Sequence, residues 1–196
     1  MPSFIQFVKN QRRELPIVPR PQDCEGSTYI VTGANTGLGF ECAKHLVRLS
    51  AKRVILGVRT LSKGKEAKAR IEDETGRKGV LEVWHIDLLS HNSVEEFAGK
   101  VRELDRIDAI IANAGVALDK YVLAEGLEST LTINDVNTMF LAALVLPKLQ
   151  ESAEKFKNTP HLAVVGSSVA FQAKGVLEEV NGDILGELSK GIDRKR

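Results

Sequence analysis

Cysteine, tyrosine and charge of one sign are all scarce in this 196-residue chain. Cys24 and Cys42 are its only cysteines, and they form no CxxC pair. That excludes a disulfide-stapled secreted scaffold and points to a reducing, cytoplasmic setting. Twenty-seven Lys and Arg face twenty-six Asp and Glu, a formal net charge of +1, so no electrostatic pull toward nucleic acid or an anionic membrane is expected. No uninterrupted apolar run approaches the roughly 18 residues of a membrane span. His45, His85, His91 and His161 show no metal-like spacing, and no metal site is expected. Only two tyrosines occur, Tyr29 and Tyr121.

The length suits a single domain with a sizeable core. Residues 1–25 read as an N-terminal extension and 26–196 as the domain. In the extension, Phe4, Ile5, Phe7 and Val8 precede Lys9, Arg12 and Arg13, the reverse of a secretory signal. A short amphipathic helix fits this stretch, with too small an apolar patch to expect membrane contact. Pro16, Pro19 and Pro21 then predict an extended lead-in.

Beyond residue 26 strand and helix patterns alternate. Thr28–Thr32, Arg53–Val58, Val80–Ile86, Ile107–Ala112 and His161–Gly166 are short apolar runs. Helical patterns separate them: about 37–50, 62–75 stopped by Gly76, a segment N-capped by Ser90 carrying Val94, Phe97, Val101 and Leu104, and about 132–155. Strands apolar on both faces require a parallel sheet covered by helices on both sides. The fold class is therefore α/β, a doubly wound parallel sheet of Rossmann type.

The first strand runs into Thr32-Gly33-Ala34-Asn35-Thr36-Gly37-Leu38-Gly39. Glycines at 33, 37 and 39 permit a tight turn, close approach of backbone to a pyrophosphate, and close packing of helix on strand. The helix that follows aims free N–H groups and its positive dipole end at phosphate. Gly33, Asn35, Thr36, Gly37, Leu38 and Gly39 are thus candidate dinucleotide-binding residues. About twenty residues on, where the ribose is read, stands Arg59, and no acidic residue occurs between Glu41 and Glu66. A carboxylate there would grip a free 2′-hydroxyl, whereas Arg59, with Lys63 a turn later, can pair with a 2′-phosphate. The expected cofactor is NADP(H).

These residues resemble the short-chain dehydrogenase/reductase family over nearly the whole chain. The TGxxxGxG loop is Thr32–Gly39, Asp87-Leu88 matches the adenine-side pair, and Asn113-Ala114-Gly115 matches the NAG motif. Counted back from Leu146-Pro147, Asn134 falls on the catalytic asparagine. Ser168, followed by Val169-Ala170, falls on the catalytic serine, with Ser167 beside it. Asp135 departs from the family, which has an apolar residue there. VTGANTGLG, LTINDVNTMF and HLAVVGSSVAF look most like fungal members acting on secondary-metabolite intermediates. The resemblance implies hydride transfer between NADP(H) and a small carbonyl or secondary alcohol. Serine would hydrogen-bond the substrate oxygen, asparagine would hold a water, and a Tyr-x-x-x-Lys pair would supply the proton.

That pair is not present. Tyr29 lies in the first strand, Tyr121 precedes the fourth crossover helix, and no tyrosine follows Ser168. The expectation is thus of a C-terminally incomplete domain with weak NADP(H) binding and little turnover, and of no homo-oligomer, because the helix that often builds the family's dimer interface is lacking. Two readings stand: an NADP(H)-dependent oxidoreductase, or a nucleotide- or partner-binding protein without catalysis. A serine-hydrolase reading of Ser168 fails for want of a G-x-S-x-G elbow.

Overall fold

The computed structural model describes residues 4–13, 19–167 and 182–189. Helix α1 (Phe4–Gln11) forms in the N-terminal stretch. Of the expected extended lead-in, residues 14–18 with Pro16 lie outside the described residues and Arg20 is extended, but Pro21 opens a one-turn helix, α2 (Pro21–Cys24), because proline's fixed φ suits a first helical position. Cys24 is buried in the core, and Glu25 bridges Ala51.

Strand β1 (Thr28–Thr32) leads through the glycine loop into α3 (Gly37–Arg48), β2 (Arg53–Val58), α4 (Leu61–Thr75) and β3 (Leu81–His85). Helix α5 (His91–Arg102) follows, begun by Ser90, whose hydroxyl accepts from the Ser93 N–H as expected. Next comes β4 (Ala109–Ala112), then a two-residue pair, β5 (Leu123–Ala124) and β6 (Leu127–Glu128), not foreseen from sequence. The long helix expected from about 132 is three pieces: α6 (Ser129–Leu131), a π-helical turn Thr132–Val136, and α7 (Asn137–Phe156). Strand β7 (His161–Val164) and helix α8 (Ile184–Ser189) complete the described elements.

The main sheet runs β3-β2-β1-β4-β7 with every pairing parallel. Successive side chains of a strand point to opposite faces, so each central strand feeds two cores. Val31, Val54, Leu56 and Val58 meet Ala43 and Val47 of α3 and Ala67 and Ile71 of α4. Ile30, Ile55 and Ile110 meet Val94, Phe97 and Val101 of α5 and Leu141, Val145 and Leu149 of α7. This is the doubly wound Rossmann arrangement.

The expectation of strands buried on both faces holds for β1, β2 and, with Ile111 half-buried, β4. It fails for β7, exposed along its length, and for most of β3. Both are edge strands among the described residues. The stretch Ser129–Phe156 is long and apolar enough to cross a membrane by length and composition. Ser129, Thr132, Asn134 and Asp135 interrupt it, which is why no such run is legible in sequence. Its buried face, Leu141, Val145 and Leu149, belongs to the second core.

Candidate functional site at the carboxyl end of the sheet

At the carboxyl ends of β1, β2, β3 and β4 the chain turns away in four loops, leaving a cavity of about 320 Å³. Gly33, Asn35, Thr36, Arg59, Asp87, Leu88, Asn113, Ala114 and Gly115 line it, nine of the residues singled out from sequence. Gly57, Ile86, Val116 and Ile133 complete the wall. Sequence reading missed these four; the only available signal was their position beside Arg59, Asp87, Gly115 and Asn134.

The loop after β1 is tied to the loop after β4. Thr32 Oγ1 accepts from the N–H groups of Asn113 and Ala114, each at 3.0 Å, and Asn113 Nδ2 donates to the Thr32 carbonyl at 3.0 Å. The Gly33 N–H donates to Gly57 O at 2.8 Å, joining the loop to β2 as well. At Gly39 a Cβ would stand 2.6 Å from the Gly33 carbonyl oxygen, so only glycine lets α3 start this close beneath the loop. Gly37 differs: its φ is +59°, and a Cβ there would meet nothing within 4 Å. Thr36, the N-cap of α3, makes no side-chain cap bond, so the first N–H groups of the helix are left for another acceptor. Open space before uncapped helical N–H groups fits an anionic group such as pyrophosphate.

Arg59 is exposed at the end of β2 and lines the cavity. Among the described residues no carboxylate forms an ion pair with it. Lys63, in the first turn of α4, is exposed and off the cavity wall. Gly37, Leu38 and Gly39 lie in the first turn of α3 rather than in the wall, with Leu38 75% exposed. Asp87 sits in a tight turn: its Oδ1 accepts from the Leu89 N–H at 3.0 Å, and its own N–H donates to Ser93 Oγ at 2.9 Å.

Asn134 lies in the π-helical turn, behind the wall. Its Oδ1 accepts from the Val116 N–H at 2.9 Å and its Nδ2 donates to the Val116 carbonyl at 2.8 Å, a two-point clamp on the strand exit. Asp135 faces water. Ser168 lies outside the described residues; Ser167, next to it, is exposed. The tyrosines sit elsewhere. Tyr29 is buried in the α3/α4 core, and burial pushes its hydroxyl well above the usual tyrosine range. The Tyr121 hydroxyl donates to the Ser189 carbonyl of α8. Among the described residues no group of three metal-ligating side chains occurs.

A parallel sheet wound on both sides, with a glycine loop and a cavity at its carboxyl edge, defines a Rossmann-type α/β protein. The family described as short chain dehydrogenase matches residues 27–172, and the chain belongs to it. The chain is 48% identical to the short chain dehydrogenase/reductase dmxR8 of Cryptosporiopsis sp. over 74% of its own length and 45% of the relative's. With the short-chain dehydrogenase anuD of Penicillium roqueforti it shares 42% identity over 84% of its length and 43% of the relative's. It thus spans about half the length of the curated relatives it matches. Among solved structures, the short-chain dehydrogenase from Sphingobium yanoikuyae in complex with NADPH superposes with a TM-score of 0.63 at 28% identity, covering 83% of this chain and 60% of that one. A short chain dehydrogenase from Escherichia coli CFT073 complexed with NADPH gives 0.64 at 27% identity, covering 80% and 65%.

Proposed function

We propose that this chain binds NADP(H) in the cavity at the carboxyl end of its sheet. Its reaction class would be oxidoreduction between a secondary alcohol and a carbonyl, in fungal secondary metabolism. The observation that carries the coenzyme choice is Arg59: a cation on the cavity wall at the end of β2 that forms no ion pair among the described residues. The NADPH-bound relatives support the same choice. In this reading residues 26–196 contribute the coenzyme-binding domain, preceded by an extension. Gly33, Asn35, Thr36, Gly37, Leu38 and Gly39 hold the pyrophosphate, Arg59 and Lys63 the 2′-phosphate, Asp87 and Leu88 the adenine side. Asn113, Ala114 and Gly115 shape the floor, tied to the phosphate loop through Thr32.

The nicotinamide supplies or accepts hydride. Asn134 fixes the Val116 backbone beside that floor, and Ser168 would hydrogen-bond the substrate oxygen. A proton donor must come from a group other than Tyr29 or Tyr121, one being in the core and the other engaged with α8. That engagement favours a second reading, in which the 196 residues bind the nucleotide without turnover.

Titration with NADPH and NADH separates these possibilities. The unmodified chain should prefer NADPH, and Arg59→Asp should weaken NADPH by about tenfold or more while leaving NADH near its starting value. Equal loss of both would remove the 2′-phosphate contact. NADPH oxidation across a carbonyl panel then decides between turnover and binding alone.

A further inference from the structure

Behind the Leu88 wall of the cavity lies a buried polar contact that phosphate and ribose recognition do not use. Asn137, in the first turn of α7, is fully buried, and its Nδ2 donates to the Leu88 carbonyl at 2.8 Å. Its Oδ1 lies 2.6 Å from Nδ1 of His91. With Nδ2 committed as donor, Oδ1 accepts, so the proton on His91 is assigned to Nδ1. The His91 ring stands edge-on to Phe140, with centroids 6.0 Å apart. From the other side, the tip of the β5–β6 turn reaches in: Glu125 Oε1 accepts the His91 backbone N–H at 3.0 Å. Two side chains of α7 therefore meet the imidazole, the β5–β6 turn holds the backbone of the same residue, and a buried amide whose partners leave has no water to replace them.

We infer that His91 and Asn137 are positioning residues for the nucleotide at Asp87–Leu88. Asn137 holds the Leu88 carbonyl. His91 holds Asn137 in the orientation that donates to it, because the turned amide would set Oδ1 against the carbonyl oxygen. Loss of the imidazole N–H frees the amide to turn, and the Asp87–Leu88 segment loses its inner anchor. The inference rests on reading the cavity as an adenine-nucleotide site.

Two measurements on the full chain test it. Amide hydrogen exchange without ligand reads the anchor itself. His91→Ala should speed exchange at Leu89 and Ser90 by roughly tenfold, with β1 and β2 unchanged. Binding reads the consequence. Adenosine 2′,5′-bisphosphate should weaken about five- to tenfold in His91→Ala, and nicotinamide mononucleotide should not change. His91→Asn, whose Nδ2 is attached to Cγ as the ring Nδ1 is and can donate to Asn137, should recover to within about twofold. Equal weakening of both halves of the coenzyme, or a folded His91→Asn that recovers nothing, overturns the inference. Unchanged exchange at Leu89 overturns it whatever binds. An unmodified chain that takes up no adenosine 2′,5′-bisphosphate, with exchange at Leu89 responding as expected, removes the coenzyme reading and leaves the anchor standing.

Discussion

Adding a Cβ at position 39 would place it 2.5 Å from Asn113 Nδ2 and 2.6 Å from the Gly33 carbonyl oxygen, and the second of these cannot swing aside. Gly39→Ala should therefore force α3 off the loop and cost about 1–3 kcal/mol, read as a fall in the urea midpoint. At position 37 the same methyl group meets only open space. Gly37→Ala carries the left-handed penalty alone, about 1–2 kcal/mol. Its larger effect should be on NADPH titration, where the methyl group occupies the space a phosphate would use. Loss of stability without loss of binding in Gly37→Ala would contradict this division. Most of the wall was legible residue by residue, because loop glycines, Asp87 and the Asn113–Gly115 run carry strong local signatures. Gly57 and Val116 carry none. They reach the cavity through the register of β2 on β1 and through the Asn134 clamp, which are tertiary facts.

Helix α7 illustrates what periodicity reveals and hides. A helix over this stretch was expected, and its buried positions, Leu141, Val145, Leu149 and Ser152, recur at helical spacing. The π-helical turn before it was not, since an extra residue in one turn leaves the composition helical. Asn137 N–H reaching Thr132 O and Thr138 Oγ1 donating to Ile133 O at 2.7 Å mark the insertion. The β5–β6 turn escaped because two residues per strand are too few for alternation to show, although Glu125-Gly126 was a turn signal. At the far end of α7, Ser152 Oγ accepts the buried Ile107 N–H at 3.1 Å. Ser152→Ala leaves that donor without a partner. It should destabilise the fold by about 1–3 kcal/mol in urea unfolding, with NADPH affinity unchanged in the folded protein. A change under about 0.5 kcal/mol would mean that another acceptor takes over.

At the scale of the whole molecule, ion pairs among the described residues make stability depend on pH at the acid end. Lys44, itself buried, pairs with Glu41 at 2.8 Å and Glu74 at 2.9 Å, and its hydrogen bond holds the Glu74 carboxyl below the usual range. Lys155 does the same for Asp105 and Arg20 for Asp23. Carboxyls more acidic in the folded than in the unfolded chain stabilise the fold at pH above their ordinary values, about 4, and this is lost as pH falls through the lower folded values. Lys44 and Lys155 are raised by the same contacts, so their contribution is complete below the ordinary lysine value and fades only at strongly alkaline pH. The melting temperature should thus be level around neutrality and drop below about pH 4, with a shallower drop in Glu74→Gln. An unchanged acid slope in that variant would deny the Lys44 pair its part.

The double burial of the sheet has a consequence for specification rather than stability. Where both faces of a strand are apolar, a slip of one residue exchanges Ile for Val instead of oil for water, so polarity alone polices alignment poorly. Strands β1 and β4 are bolted at both ends instead. Buried Asp108 accepts the Thr28 N–H at 2.8 Å at one end, and Thr32 accepts from Asn113 and Ala114 at the other. An Asp108→Leu chain would keep its apolar surface yet lose one bolt. The mouth of the cavity would inherit the ambiguity as doubled amide resonances at Asn113 and Ala114.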